Sequence, residues 1–236
     1  MSRALVTGGS SGIGLAICRM LLAAGRDVIS LDQRPSPLAD ARLRSIVVDL
    51  SDEAATAAAA RAAGSVATLV HNAGAMRPAL LAEVTTQDVA VLSRLHVSAA
   101  LLLAQASLPA MRAAGFGRIV LISSRAALGL PTRSAYAATK AALIGLVRTW
   151  ALELGPEGIT VNAVAPGPIE TEMFHEVLPE GDARIAGLLR GIPVRRLGRP
   201  EDVARAVMFL ADPASGFITG QTLFVCGGTS VGSLAL

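Results

Sequence analysis

Seven short apolar runs punctuate this chain, at residues 4–7, 28–31, 46–48, 67–71, 118–122, 160–164 and 223–225, and stretches of helical periodicity separate them. Strand and helix in strict alternation need crossover connections. That pattern predicts an α/β fold: a Rossmann-like, doubly wound, predominantly parallel seven-stranded sheet with helices on both faces. A chain of 236 residues is the right size for one such domain, so 1–236 is taken as a single unit. The apolar stock is Ala, Leu, Val and Ile with only 3% aromatic residues, which suits helices packed on a sheet buried on both sides.

Local signals set expected boundaries. Gly25 is placed to cap the first helix. The Ser51 hydroxyl is placed to cap an alanine-rich helix. Thr85 and Asp88 have capping-box spacing before a long helix that contains Pro109. A helix from about Ser134 ends at Gly155-Pro156, and another covers 201–210. Residues 166–200 form a long stretch with Pro, Gly and charge, within which 168–199 is expected to be a substrate loop.

The net charge is +3 and the arginines are scattered without a basic run, which argues against nucleic acid. Cys18 and Cys226 lie far apart and read as reduced core thiols. A glycine stretch interrupts the faintly signal-like N-terminus, and no apolar run spans a bilayer, so the expectation is a cytoplasmic protein without membrane contact. Three histidines without paired carboxylates make no metal site.

The first strand runs into Thr7-Gly8-Gly9-Ser10-Ser11-Gly12-Ile13-Gly14, which opens the first helix. Glycines let the backbone approach a phosphate, and the helix N-terminus offers free N–H groups to it. Asp32 ends the second strand, where a carboxylate can accept from the adenosine ribose hydroxyls and would repel a 2′-phosphate. This favours NAD over NADP, although Arg34 could contact a 2′-phosphate. Asp49, with Leu50, could sit by the adenine, or Asp49 could cap the following helix.

The chain has one tyrosine and one lysine, Tyr136 and Lys140, and its other twenty basic side chains are arginine. A spacing of four puts phenol and ammonium on one helix face. A cation there lowers the phenol pKa, as an acid/base near neutral pH requires.

Together these motifs resemble the short-chain dehydrogenase/reductase family over nearly the whole chain. The resemblance rests on the glycine loop at 7–14, Asn72-Ala73-Gly74, Ser123-Ser124, Tyr136-x-x-x-Lys140, and the Asn162 to Thr171 stretch with Pro166-Gly167-Pro168-Ile169. It implies hydride transfer between NAD(P) and an alcohol or ketone, often in a homotetramer. It implies Tyr136 as general acid/base and Lys140 as the group that tunes it and binds the nicotinamide ribose. Asn72 would lie along the cofactor, Thr171 would contact its carboxamide, and Glu170, Met173 and Phe174 would border the substrate.

Two places depart from the family pattern. The serine expected thirteen residues before the tyrosine falls on Ser123, while the second of the pair is Ser124. Strand-end position favours Ser124 as the substrate-polarising group. The long helix carries His96 where the family has an asparagine that holds a relay water. His96 could take that relay place, or be a core histidine satisfied by a backbone carbonyl.

Other side chains are ambiguous. Arg125 and Arg133 could meet a carboxylate or phosphate on the substrate, or be solvated or paired. His71 reads as structural, His175 as a loop residue and Trp150 as packing. The leading reading is an NAD-dependent secondary-alcohol dehydrogenase or ketone reductase. The alternatives are an NADPH-dependent 3-oxoacyl-thioester reductase and a nucleotide-binding regulator with reduced catalysis.

Overall fold

The computed structural model describes residues 3–231. Seven strands form one sheet: β1 (Ala4–Thr7), β2 (Val28–Asp32), β3 (Leu43–Val47), β4 (Thr68–His71), β5 (Gly117–Ile122), β6 (Ile159–Pro166) and β7 (Thr222–Val225). Their order is β3-β2-β1-β4-β5-β6-β7 and every pairing is parallel. Strand order reverses between β1 and β4, and the crevice beyond the carboxyl ends of those strands is where such sheets bind ligands.

Helices cover both faces. On one side α1 (Gly12–Ala23) and α8 (Pro200–Ala211) bury Ile17, Leu21, Val203 and Val207 against Val6, Val70 and Val120. On the other, α2 (Glu53–Ala63), α4 (Ala99–Ala114) and α5 (Ser134–Leu154) bury Ala59, Leu103, Leu143 and Val147 against Leu5, Leu69, Leu121 and Val161. Each buried Leu or Val contributes roughly 1.5–3 kcal/mol relative to an exposed one.

Gly25 follows α1 with φ +77, and its N–H and that of Arg26 bond to Leu22 and Leu21 carbonyls, closing the helix as expected. The capping box of Thr85 and Asp88 is present and opens α3 (Thr86–Ser93).

Other expectations are corrected. Asp52, not Ser51, caps α2, accepting from the Ala55 N–H at 3.0 Å, while the Ser51 hydroxyl donates to Asp49. The long helix is not uniform: residues Arg94–Ser98 form a π-helical turn between α3 and α4. The 29-residue stretch Thr86–Ala114 is long and apolar enough to cross a membrane, contrary to the sequence expectation, with a mean hydropathy of 1.5 over its most apolar 18-residue window. Leu92, Ala100, Leu103 and Met111 from it are buried in the protein, so it packs as a core helix. The 166–200 segment contains two helices, α6 (Glu172–Val177) and α7 (Arg184–Gly191). Both leave every residue at least partly exposed.

Candidate active site

The loop between β1 and α1 is shaped by its glycines. Gly8 has φ +68, and a Cβ on Gly14 would run into the Gly8 carbonyl. Asn72 locks the loop from the next strand, its Nδ2 donating to the Thr7 and Gly8 carbonyls at 3.1 and 3.3 Å. Thr7 Oγ1 accepts from the N–H groups of Asn72 and Ala73, both at 2.9 Å, and its proton is left for His71 Nδ1 at 3.1 Å. His71 is buried and held neutral, its pKa pushed down to about 3 by burial and then by the Lys140 charge. That is the structural place expected of it.

A cleft of about 1010 Å³ opens above the β1/β4 switch point. Gly8, Ser11, Gly12 and Ile13 line one end, with Asp32 and Leu50 beside them. Asn72, Ala73 and Gly74 line it, as do Pro166, Gly167, Ile169 and Thr171, and the Thr171 side chain lies beside Gly12. Ser124, Tyr136 and Lys140 line it too. Ser10 and Gly14 support the loop from behind. The Ser10 N–H donates to Asp32 Oδ2 at 2.9 Å, and the buried Ser10 Oγ has no partner. The Arg34 N–H donates to Asp32 Oδ1 at 3.2 Å, while the Arg34 guanidinium pairs with Glu172 at 3.0 Å across an exposed surface. Thr171 caps α6 by accepting from the Phe174 N–H at 3.2 Å.

Besides Ser10 and Gly14, three expected residues are not at the cleft. Asp49 turns away from it and accepts the N–H and O–H of Ser51, both at 2.8 Å; these bonds hold its carboxyl below the usual range. It neither caps α2 nor lines the cleft beside Leu50. Glu170 is exposed and also absent from the lining, whereas Met173 and Phe174 are in it. His96 is fully buried and does not line the cleft.

At the β5 end the two serines diverge. The Ser123 hydroxyl is buried and donates to the Lys140 carbonyl at 2.7 Å. The Ser124 hydroxyl faces Tyr136 and accepts from the Ala126 N–H at 3.1 Å. Burial raises the Tyr136 pKa, and the Ser124 hydrogen bond and the Arg133 charge oppose that rise. The Lys140 ammonium is 5.6 Å from the Tyr136 ring centroid and donates to the Ile122 carbonyl at 2.8 Å. Burial pushes Lys140 down to about 7, so at neutral pH it can hold or yield a proton.

His96 has neither ring nitrogen free. Nε2 accepts from the Ala75 N–H at 3.2 Å, and Nδ1 meets the Thr139 hydroxyl at 2.8 Å. A relay through this side chain therefore has no open nitrogen, and its partners are a backbone N–H and a hydroxyl rather than the backbone carbonyl of the core-histidine alternative. Thr139 was missed in the sequence, although a polar residue three positions after Tyr136, on the helix face that carries it, is the signal that could have found it. The Ile122 carbonyl, a backbone group, left no residue-type signal. His175 is a residue of α6 rather than of a loop, with Nδ1 3.2 Å from the Leu178 carbonyl just beyond that helix, and Trp150 is buried in the core.

A family model described as enoyl-(acyl carrier protein) reductase matches residues 8–230. The BbsD subunit of (2S)-[(R)-hydroxy(phenyl)methyl]succinyl-CoA dehydrogenase from Thauera aromatica is 38% identical, over 97% of this chain and 96% of that protein. The 3-oxoacyl-[acyl-carrier-protein] reductase FabG of Escherichia coli K12 is 37% identical, over 95% and 96%. Among solved structures, a blue fluorescent protein from a metagenomic library, in complex with NADPH, is 35% identical with a TM-score of 0.86, covering 97% of this chain and 98% of that one. With the parallel sheet, the glycine loop and these relatives in hand, the chain belongs to the short-chain dehydrogenase/reductase family of oxidoreductases.

Proposed function

We propose that this enzyme interconverts a secondary alcohol and a ketone with NAD(H), using Tyr136 as general acid/base. The observation that carries this reading is the convergence of Ser124, Tyr136 and Lys140 on one cleft whose far end is the glycine loop. The residues fit a nicotinamide dinucleotide. Ser11 leaves the first turn of α1 without a side-chain cap, so its N–H groups are open to a pyrophosphate, and the Asp32 carboxylate stands at the ribose end. The bound dinucleotide supplies or takes the hydride.

The chain's own side chains handle the oxygen. In reduction the Tyr136 hydroxyl gives its proton to the substrate oxygen as negative charge builds there, and the Ser124 hydroxyl donates a hydrogen bond to the same atom. Burial keeps the phenol protonated in the free protein, the form needed for that step. Lys140, titrating near 7, can return a proton to this end of the cleft, and its charge favours the phenolate when oxidation calls for a base.

NAD over NADP is supported by Asp32, which would repel a 2′-phosphate, and by Arg34, whose guanidinium is engaged with Glu172. A homotetramer is supported by large apolar side chains left on the surface, Leu152 at 82% exposure and Phe217 fully exposed. Free Cys18 and Cys226 thiols are in keeping with a reducing cytoplasm.

A second reading is favoured by the similarity to the 3-oxoacyl-[acyl-carrier-protein] reductase and to the NADPH complex: reduction of a 3-oxoacyl thioester with NADPH. A panel of ketones, secondary alcohols and 3-oxoacyl thioesters, followed at the nicotinamide absorbance with each cofactor, separates the two. Turnover of simple ketones with NADH supports the first reading. Turnover confined to thioesters with NADPH replaces it with the second.

A further inference from the structure

We propose that Arg133 is a specificity residue for a carboxylate carried by the substrate a few bonds from its reacting carbon, an inference that rests on the oxidoreductase reading above.

Arg133 lines the cleft and is only 8% exposed. Its Nη1 bonds to the carbonyl and hydroxyl of the neighbouring Thr132, and its Nε and Nη2 have no protein partner among the described residues. No carboxylate of the described residues lies within ion-pair distance of it. Of the acids that line the same cleft, Asp32 takes two backbone N–H groups, Glu172 pairs with Arg34, and Glu176 forms no ion pair. The Nε and Nη2 groups are open to the cleft, so an anion bound in the cleft can pair with them without displacing a protein partner.

The backbone holds the side chain in that place at a cost. Thr132 has φ +64, a left-handed conformation that a β-branched residue rarely takes. The strain is held by a short bridge in which the Ala79 N–H donates to the Thr132 carbonyl at 3.0 Å. Arg133 is the residue before α5, whose start has no side-chain cap, so the positive end of that helix adds to the guanidinium. The strain falls on the one segment that places a cation at the cleft, a pattern expected of a functional segment.

The location sets the class of ligand. Arg133 precedes Tyr136 by three residues, and its charge is felt at the Tyr136 hydroxyl. An anion bound there lies close to the carbon that gains or loses hydride. A carboxylate matches the two open donors of the guanidinium as a bidentate pair. Arg125, which lines the cleft after Ser124 and donates from Nε to the Thr229 carbonyl at 3.2 Å, adds a second cation to this end.

The test combines binding with turnover. The holoenzyme, saturated with NAD⁺, is titrated calorimetrically with acetate, glutarate and benzoate and with their methyl esters. The proteins are wild type, Arg133→Met, Arg133→Lys and Tyr136→Phe. At least one carboxylate binds the wild type, its ester does not, and Arg133→Met weakens that binding about 10- to 100-fold, as loss of a charge-assisted hydrogen-bonded pair implies. Arg133→Lys restores part of it, and Tyr136→Phe leaves it intact. For 4-oxopentanoate and its methyl ester, Arg133→Met raises KM for the acid alone. A cooperative thermal transition of Arg133→Met confirms that the variant compared is folded.

Failure to bind any of the three carboxylates, or equal binding by wild type and a folded Arg133→Met, overturns the assignment even if ketones are turned over. Carboxylate binding that depends on Arg133, in a protein that reduces no ketone, keeps the anion site and removes the oxidoreductase reading beneath it.

Discussion

His96 Nδ1 stands 2.8 Å from the Thr139 hydroxyl, and that hydroxyl donates to the Tyr136 carbonyl at 3.0 Å. Thr139 has one proton and spends it on the carbonyl, so it accepts from His96, whose proton is fixed on Nδ1. Nε2 is then the acceptor for the Ala75 N–H. Burial, and then the charge on Lys140, hold the ring neutral. Its edge-on contact with Tyr136, at 5.7 Å between ring centroids, joins the π-helical turn to the face of α5 that carries the phenol. Thr139→Val removes the acceptor and leaves a buried N–H unpaired, which costs about 1–3 kcal/mol. Thermal unfolding should show a drop of roughly 2–4 °C for each kcal/mol in a chain of this size. Nitrogen NMR should find the His96 signals unchanged between pH 5 and 8 in the wild type, and a titrating ring would return it to the relay role.

How much of this could be read beforehand follows physical type. Strands buried on both faces appear as apolar runs, so 4–7 and 118–122 were placed to within a residue. Capping was less legible: Ser51 and Asp52 are both good caps in adjacent positions, and only backbone geometry selects Asp52. The π-helical turn at Arg94–Ser98 left no compositional trace, because the same residues suit an α-helix. In the site, Tyr136 and Lys140 were legible because each is the chain's sole residue of its type. The serine pair was open on spacing, and the tertiary contact that separates it, Ser123 to the Lys140 carbonyl, depends on how β5 meets α5.

Because Lys140 is the only lysine, ¹³Cε labelling of lysine gives one signal. In the ligand-free protein that signal should titrate near 7, well below the ordinary value of about 10.4. The folded pKa lies below the unfolded one, so between about pH 7 and 10 the unfolded chain carries a proton that the folded chain lacks. Raising the pH through that window therefore adds stability from this residue, and below about 7 the contribution is lost. Lys140→Met should flatten the rise in urea midpoint over the same range. An ordinary titration near 10 would show that the ammonium is not desolvated.

Asp32 should set cofactor choice. Its carboxylate is held by the Ser10 and Arg34 N–H groups at the cleft and would repel a 2′-phosphate bound beside it. Asp32→Ser removes the repulsion and leaves Arg34 near. The ratio of kcat/KM for NAD to that for NADP should fall at least about tenfold, corresponding to roughly 1.4 kcal/mol. Both cofactors are measured at one ionic strength, because the repulsion is screened by salt. An unchanged ratio would mean that Asp32 only braces the glycine loop.

Tyr136→Phe separates chemistry from architecture. The phenol oxygen is the only difference, and the ring keeps its contact with His96. Turnover should fall by about 10²–10⁴-fold, the usual contribution of a positioned acid/base, while NAD binding by calorimetry stays within about twofold. The wild type offers a companion measurement, since its single tyrosine makes the tyrosinate absorbance report on Tyr136 alone. In the free protein its midpoint should lie above 10, because burial outweighs the Ser124 hydroxyl and the Arg133 charge. Arg133→Met and Ser124→Ala should each move it higher still, as each removes an interaction that favours the phenolate. A midpoint that falls in either variant would reverse the assigned electrostatics, and a Tyr136→Phe protein that keeps more than a tenth of its activity would place the proton transfer on another group.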